Sequence, residues 1–142
     1  MEKGRSYPTV RGKSFTLVAT FVGSAYPCAE CPVHHPELIH PESLAHFNDA
    51  KMGKSTIFMS DRMLVGLNAF EPGQEHALHG HADQDKVYHV LEGEGVFLLE
   101  ERDIEMSAGT MLVAPAGVPH GVRNTSDERL IVLVFMAPAP GR

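Results

Sequence analysis

The chain has 142 residues, of which 43% are hydrophobic and 21% are charged, and its formal net charge is −6. A chain of this length can bury about two thirds of its unfolded surface, so we expect one folded domain with a substantial core. The acidic balance argues against nucleic acid as a partner, because neutralising phosphates requires clustered lysine and arginine. The sequence has no apolar run of 18 residues, so no membrane-spanning helix is expected.

Residues 1–55 are predicted to form an N-terminal arm. Hydrophobic residues at every second position from 15 to 22 favour a strand over a signal peptide. Prolines interrupt residues 26–41, and residues 41–51 are predicted to form a short helix with Leu44 and Phe47 on its inner face. The chain has only two cysteines, which is typical of a cytoplasmic protein without a disulfide framework.

The arm also contains the pattern Cys28-x2-Cys31-x2-His34-His35-x4-His40. A pair of cysteines at this spacing can chelate zinc, and the nearby histidines could complete a tetrahedron. The pair is not repeated after a spacer, as it is in strong zinc modules. Free thiols in a proline-rich loop are therefore the default interpretation, and a second metal at Cys28, Cys31, His34 and His35 remains an open alternative.

Residues 56–138 are predicted to form an all-β barrel, followed by a tail at 139–142. Short hydrophobic segments there are separated by turn residues every 8–15 positions, which is typical of a sandwich or barrel. The predicted strands are 56–60, 63–70, 77–81, 86–92, 95–100, 104–106, 110–114, 120–124 and 130–136.

Two of these strands are apolar on both faces, at residues 96–99 and 131–135. One face of each must fill the barrel, and the other needs a cover because large exposed apolar patches are unusual on monomers. The arm or a second subunit would supply that cover, so we expect a homodimer.

Three histidines form the most informative feature of the chain. His79 and His81 are one residue apart, which places them on one face of a strand because side chains alternate with a period of two. His120 follows in a segment rich in proline and glycine. Neutral imidazole is a common ligand of transition metals, so the three residues are candidate ligands of one divalent ion. The alternative is three unrelated surface or core histidines.

These residues also carry a resemblance to the cupin family. Two spaced motifs are involved, and the segment 87–95 between them is similar to that family as well. The motifs are Gly73-x5-His79-x-His81 with Gly93 further on, and Gly109-x5-Pro115-x-Gly117-x2-His120-x3-Asn124. The resemblance covers about residues 56–138. It implies a double-stranded β-helix, or jelly-roll barrel, with a metal in its mouth.

The chain departs from the family pattern at one position. Cupins often place a glutamate ligand five residues after the second histidine, and here that residue is Lys86, which has no lone pair to offer when charged. Gln84 has the same strand parity as Lys86 and could ligate through its carbonyl oxygen. A one-residue shift of the loop could instead bring in Asp85, or Lys86 could swing outward to pair with Asp83 or Asp85. The fourth ligand is therefore left open.

The function implied by the resemblance is a metal-binding cupin that acts on a small organic molecule, such as a carboxylate, an enol or a sugar-like compound. Zinc, manganese, iron, nickel or copper could supply Lewis-acid or dioxygenase-type chemistry. Lys86 and His76 are the candidate catalytic acids or bases. The alternative is a non-catalytic module that binds or senses a small ligand, and fold alone does not choose between the two.

Overall fold

The computed structural model describes residues 31–32 and 35–140. In this part of the chain, one turn of 3-10 helix, Pro41–Leu44, precedes nine strands. The strands are β1 (Gly53–Met59), β2 (Leu64–Phe70), β3 (Glu75–His79), β4 (Asp85–Glu92), β5 (Glu94–Leu99), β6 (Asp103–Ser107), β7 (Met111–Ala114), β8 (His120–Arg123) and β9 (Leu130–Ala137). Each of the nine strands predicted between residues 56 and 138 overlaps one of these, with ends that differ by a few residues.

The strands form two antiparallel sheets packed face to face. One has the order β1-β2-β9-β4-β7 and the other the order β3-β8-β5-β6. Their facing sides enclose an apolar core that includes Phe70, Tyr88, Phe97, Val122 and Leu130. This is the double-stranded β-helix architecture, so the expected all-β fold class is confirmed.

Strand β4 shows how the sequence pattern sets the inner and outer faces. Lys86, Tyr88 and Val90 are 5%, 0% and 0% exposed, whereas the alternating residue His89 lies on the opposite side and is partly exposed. Tyr88 and Val90 therefore lie on the inner face, as the period of two along a strand requires. The same alternation carries Lys86, a charged residue, into the space between the sheets.

Among the described residues, a cover for the outer face of the five-stranded sheet is found at one end. Leu44 and Phe47 pack there against a small cluster that contains Ile57, Leu67 and Ile131. The helix predicted over residues 41–51 is wrong in extent, because only the turn Pro41–Leu44 is helical, but its inner residues do contact the sheet. At the other end, on β7, Met111 and Val113 remain 60% and 59% exposed.

The strand that was expected to carry both His79 and His81 ends at His79. His81 lies in the following loop, where its carbonyl oxygen accepts a hydrogen bond of 2.7 Å from the N–H of Gly117. Strand β3 is an edge strand with an irregular register between His76 and His79. The prediction that strand alternation aligns the two histidines was therefore wrong, and a loop contact positions His81 instead.

The cysteine pattern is described only in part. Cys31 is buried and disulfide-bonded, so the expectation of free thiols was wrong. A disulfide sulfur carries no thiolate, which is the form of cysteine that binds metals. Cys28, His34 and the strand predicted over residues 15–22 lie outside the described residues. No helix within the described part of the chain has the length and apolar character needed to cross a membrane.

Candidate metal centre

Three histidines meet at one end of the space between the sheets. His79 ends β3 and His120 begins β8, and the two residues are direct partners in the antiparallel pairing of these strands. His81 approaches from the loop after β3. One ligand nitrogen from each of the three side chains lies within 4.8 Å of the other two. Among the described residues, this is the group of histidine, cysteine and carboxylate side chains able to surround a metal ion.

Hydrogen bonds to the backbone fix two of the imidazole rings. Nδ1 of His79 lies 2.8 Å from the carbonyl oxygen of Ala77, and Nδ1 of His120 lies 2.7 Å from that of Val118. A carbonyl oxygen only accepts, so each Nδ1 must carry the proton. The lone pair of each ring is therefore on Nε2, which is the arrangement found in histidines that bind metals.

Two of the histidine nitrogens at this centre are buried without a hydrogen-bond partner. Nε2 of His81 and Nε2 of His120 have no hydrogen bond although water cannot reach them. Buried polar atoms nearly always have a partner, so each such atom needs an explanation. A metal ion would satisfy both lone pairs at once, and the residues present therefore fit such an ion.

The electrostatic surroundings keep the three rings neutral. Burial lowers the pKa of His79, His81 and His120, and the pKa of His81 falls to about 4. Lys86 lowers all three pKa values further. Neutral imidazole is the form that binds metals, so near pH 7 no proton has to be displaced from these rings.

Lys86 reaches the centre from the opposite sheet. Its Nζ donates a hydrogen bond of 3.1 Å to the hydroxyl of Tyr88 and lies 3.4 Å from Nε2 of His79. Burial, followed by repulsion from Lys54, lowers the pKa of Lys86 to about 8. Neither of the ion pairs among the described residues involves Lys86. The structure therefore does not show Lys86 turned outward and paired with Asp83 or Asp85.

The other candidate ligands point elsewhere. The side-chain amide of Gln84 donates a 3.1 Å hydrogen bond to the carbonyl oxygen of Pro138. One carboxylate oxygen of Asp85 accepts a 2.9 Å hydrogen bond from the N–H of Ala116. Gln84 would have to leave Pro138 in order to act as a fourth ligand, so that role remains only a sequence prediction.

His76 lies directly beside the three histidines. The centres of its ring and the ring of His79 are 4.1 Å apart, and its Nδ1 is buried without a partner. Burial is the main cause that lowers the pKa of His76 to about 3, with repulsion from His79 next. The ring is neutral near pH 7, and a pKa this low makes it a weak base there.

A cavity of about 300 Å³ adjoins the three histidines. Besides His76, His79, His81 and Lys86, its walls include Lys54 and Asn68. A second cavity, of about 580 Å³, lies along residues 46–54 and shares Lys54 and His76 with the first. Sequence reasoning missed Lys54 and Asn68, because the first strand was predicted to begin at residue 56 and its pairing partner was unknown.

Comparison with known proteins agrees with this fold. The model of the cupin domain family matches residues 66–136, which is half of the chain. The chain belongs to the cupin family.

Individual relatives differ in what they are named for. The chain is 32% identical over 109 residues to the oxalate-binding protein of Thermotoga maritima, covering 69% of this chain and 89% of the relative. It is 31% identical over 90 residues to an acireductone dioxygenase of Rhodopseudomonas palustris, covering 56% and 54%. The crystal structure of the protein TT1209 from Thermus thermophilus is 44% identical, with a TM-score of 0.70 over 74% of this chain and 100% of that one.

Proposed function

We propose that this protein is a metal-dependent cupin in which His79, His81 and His120 bind one divalent transition metal. The observation that supports this most directly is the pair of buried, unpartnered Nε2 atoms on His81 and His120. The fixed tautomers of His79 and His120 support it further, because they present the lone pairs on Nε2. Zinc, manganese, iron, nickel and copper all accept imidazole ligands, so the donor set does not select among them.

We further propose that the substrate is a small organic molecule such as a carboxylate, an enol or a sugar-like compound. The bound metal would act as a Lewis acid on an oxygen of this molecule or support dioxygenase-type chemistry. The cavity of about 300 Å³ beside the histidines is at the lower end of the usual size of ligand sites. The names of two relatives, an oxalate-binding protein and an acireductone dioxygenase, are consistent with a small oxygen-rich ligand.

Lys86 and His76 are the proposed proton-transfer groups. Lys86 stands beside the site, and its pKa of about 8 lets it donate or accept a proton near neutral pH. His76 is neutral there, and its pKa of about 3 makes it a much weaker base than Lys86. Tyr88 has a pKa raised by burial, so its hydroxyl keeps its proton and serves to hold Lys86 in place.

A non-catalytic, ligand-binding cupin is the second candidate. It is favoured by Lys86, which occupies the position where the family often has a glutamate ligand and donates toward the lone pair of His79. A cation there would weaken the metal site, and the lysines of the cavity, Lys86 and Lys54, could bind an anion without turnover. The oxalate-binding relative is named for binding alone.

Metal analysis of purified, reconstituted protein would test the proposal. Wild-type protein should hold about one equivalent of zinc or another divalent metal per chain, and His120→Ala should lose it because only two ligands remain. His40→Ala is the matched control, since His40 is exposed and outside the centre. Full metal occupancy in His120→Ala would refute the three-histidine site. Oxygen uptake or substrate turnover by the loaded wild type would favour the enzyme over the binding module.

We also propose a homodimer. Met111 and Val113 expose apolar surface on the five-stranded sheet, in line with the two-faced apolar strands of the sequence. The role of the arm in covering this face stays a prediction, because residues 1–30 lie outside the described residues. A cytoplasmic location also stays a prediction, and the disulfide at Cys31 is unusual for that compartment.

A further inference from the structure

The strand register places three polar side chains on one wall of the cavity. Lys54 of β1 is the direct partner of Asn68 of β2, and Asn68 is the partner of Val132 of β9. Lys86 of β4 is the partner of Met136, which is four residues along β9 from Val132. Directly opposed residues share a face, and so do residues an even number apart on one strand. Lys54, Asn68 and Lys86 therefore all face the space between the sheets.

This wall carries positive charge with nothing to balance it. None of the described residues that line the cavity is an aspartate or a glutamate, although the chain as a whole has a net charge of −6. Lys86 is only 5% exposed and forms no ion pair with the described residues. Buried lysines are rare unless they are paired, because removing the charge from water is costly.

Asn68 adds an unused hydrogen-bonding group to the same wall. It is 6% exposed, and its side-chain amide forms none of the side-chain hydrogen bonds found among the described residues. A buried amide normally makes several such bonds. Its NH₂ group is available to donate to an oxygen of a bound molecule.

We propose that the cavity selects a small dianionic ligand, such as a dicarboxylate, with one anionic end at Lys86 and the other at Lys54 and Asn68. This inference rests on the proposed function, because it specifies the ligand class of the same site. Two lysines and the amide provide positive charge and donors, and the lining offers no competing carboxylate. The volume of about 300 Å³ restricts the ligand to a few carbon atoms.

Titration calorimetry with zinc-loaded protein would test this ligand class. The probes are malonate and succinate, each compared with its uncharged diamide and with the monoanion propionate. The expected result is that the dicarboxylates bind at least about tenfold more tightly than the diamides, since each lysine forms a charge-assisted hydrogen bond. Equal binding of diamides and dicarboxylates, or no binding of either dicarboxylate, would overturn the proposal.

Two substitutions assign the ends of the ligand. Lys54→Met should weaken the binding of the dicarboxylates by about tenfold and leave the affinity for propionate nearly unchanged, because Lys54 would hold the second charge. Lys51→Met is the matched control, because Lys51 lines only the neighbouring cavity. Since Lys54 is exposed, Lys54→Met should still fold. Lys86 is buried, so Lys86→Met is compared with Lys86→Arg, which keeps the charge, to separate the loss of charge from altered packing. Unchanged dicarboxylate affinity in Lys54→Met would refute the second anionic contact.

The same titrations on metal-free protein separate this inference from the proposed function. If wild type holds no stoichiometric metal but still prefers dicarboxylates in a Lys54-dependent manner, the metal proposal fails and the anion site stands. If wild type holds one metal per chain and shows no preference for dianions, the metal proposal stands and the ligand class is refuted.

Discussion

Replacing Lys86 with methionine should strengthen metal binding. Nζ of Lys86 lies 3.4 Å from Nε2 of His79, so in the metal-free protein the ammonium occupies the lone pair that a metal would need. A hydrogen bond from a charged donor contributes about 1.5–3 kcal/mol. Because this contact is long, the lower limit applies, and it corresponds to about a tenfold gain in metal affinity when the competitor is removed.

The methionine side chain is unbranched, so the cavity wall should be preserved. Lys86 is also 5% exposed, and replacing a buried, unpaired charge with an apolar group should leave the melting temperature unchanged or raise it. Lys86→Glu should bind the metal more tightly still, because it adds an anionic oxygen ligand at this position.

Competition for zinc against a chromophoric chelator near neutral pH measures these affinities. Lys51→Met serves as the control for removing one positive charge, and its affinity should equal that of wild type. Wild-type affinity in both Lys86→Met and Lys86→Glu would show that Lys86 does not act on the metal site. A gain in Lys86→Met without any further gain in Lys86→Glu would show that residue 86 competes with the metal but cannot ligate it.

Three further predictions concern the loop, the acid response and the assembly. Gly117→Ala should destabilise the fold by about 1 kcal/mol, because Gly117 has a φ of +79°. It should also weaken zinc binding, because the N–H of Gly117 donates to the carbonyl oxygen of His81. An unchanged zinc affinity would show that this contact does not position His81. The pKa of His76 falls from 6.5 to about 3 on folding, so the unfolded chain takes up the proton first. The contribution of neutral His76 to the stability of the metal-free protein should therefore be complete above about pH 6.5 and decrease as the pH falls toward 3. Urea titrations at several pH values should show a flatter decrease in His76→Asn than in wild type. An equally steep decrease in the variant would contradict this prediction. Val113→Lys should place a charge on the exposed apolar face and convert a dimer to a monomer in sedimentation velocity, whereas an unchanged mass would remove this face from the interface.

The local pattern of the chain was enough to predict the strands, and it also accounts for the inner face of β4. Strands need little more than alternating or continuous apolar residues between turn residues, and these are visible in any short window of sequence. The inward direction of Tyr88 followed from parity alone, since a strand has a strict period of two. The three histidines were likewise singled out from the sequence and do lie together, although the strand alternation expected to align His79 and His81 was wrong.

Only the tertiary structure decided how these parts meet. His81 lies beyond the end of β3, and its position depends on a hydrogen bond to Gly117, 36 residues further along the chain. Lys54 and Asn68 become neighbours of Lys86 through the pairings of β1, β2, β9 and β4, which no local pattern specifies. The sequence determines which residues face inward because alternation is a local property. Which inward residues share a cavity depends on strand order and register, and these are set by contacts between distant segments.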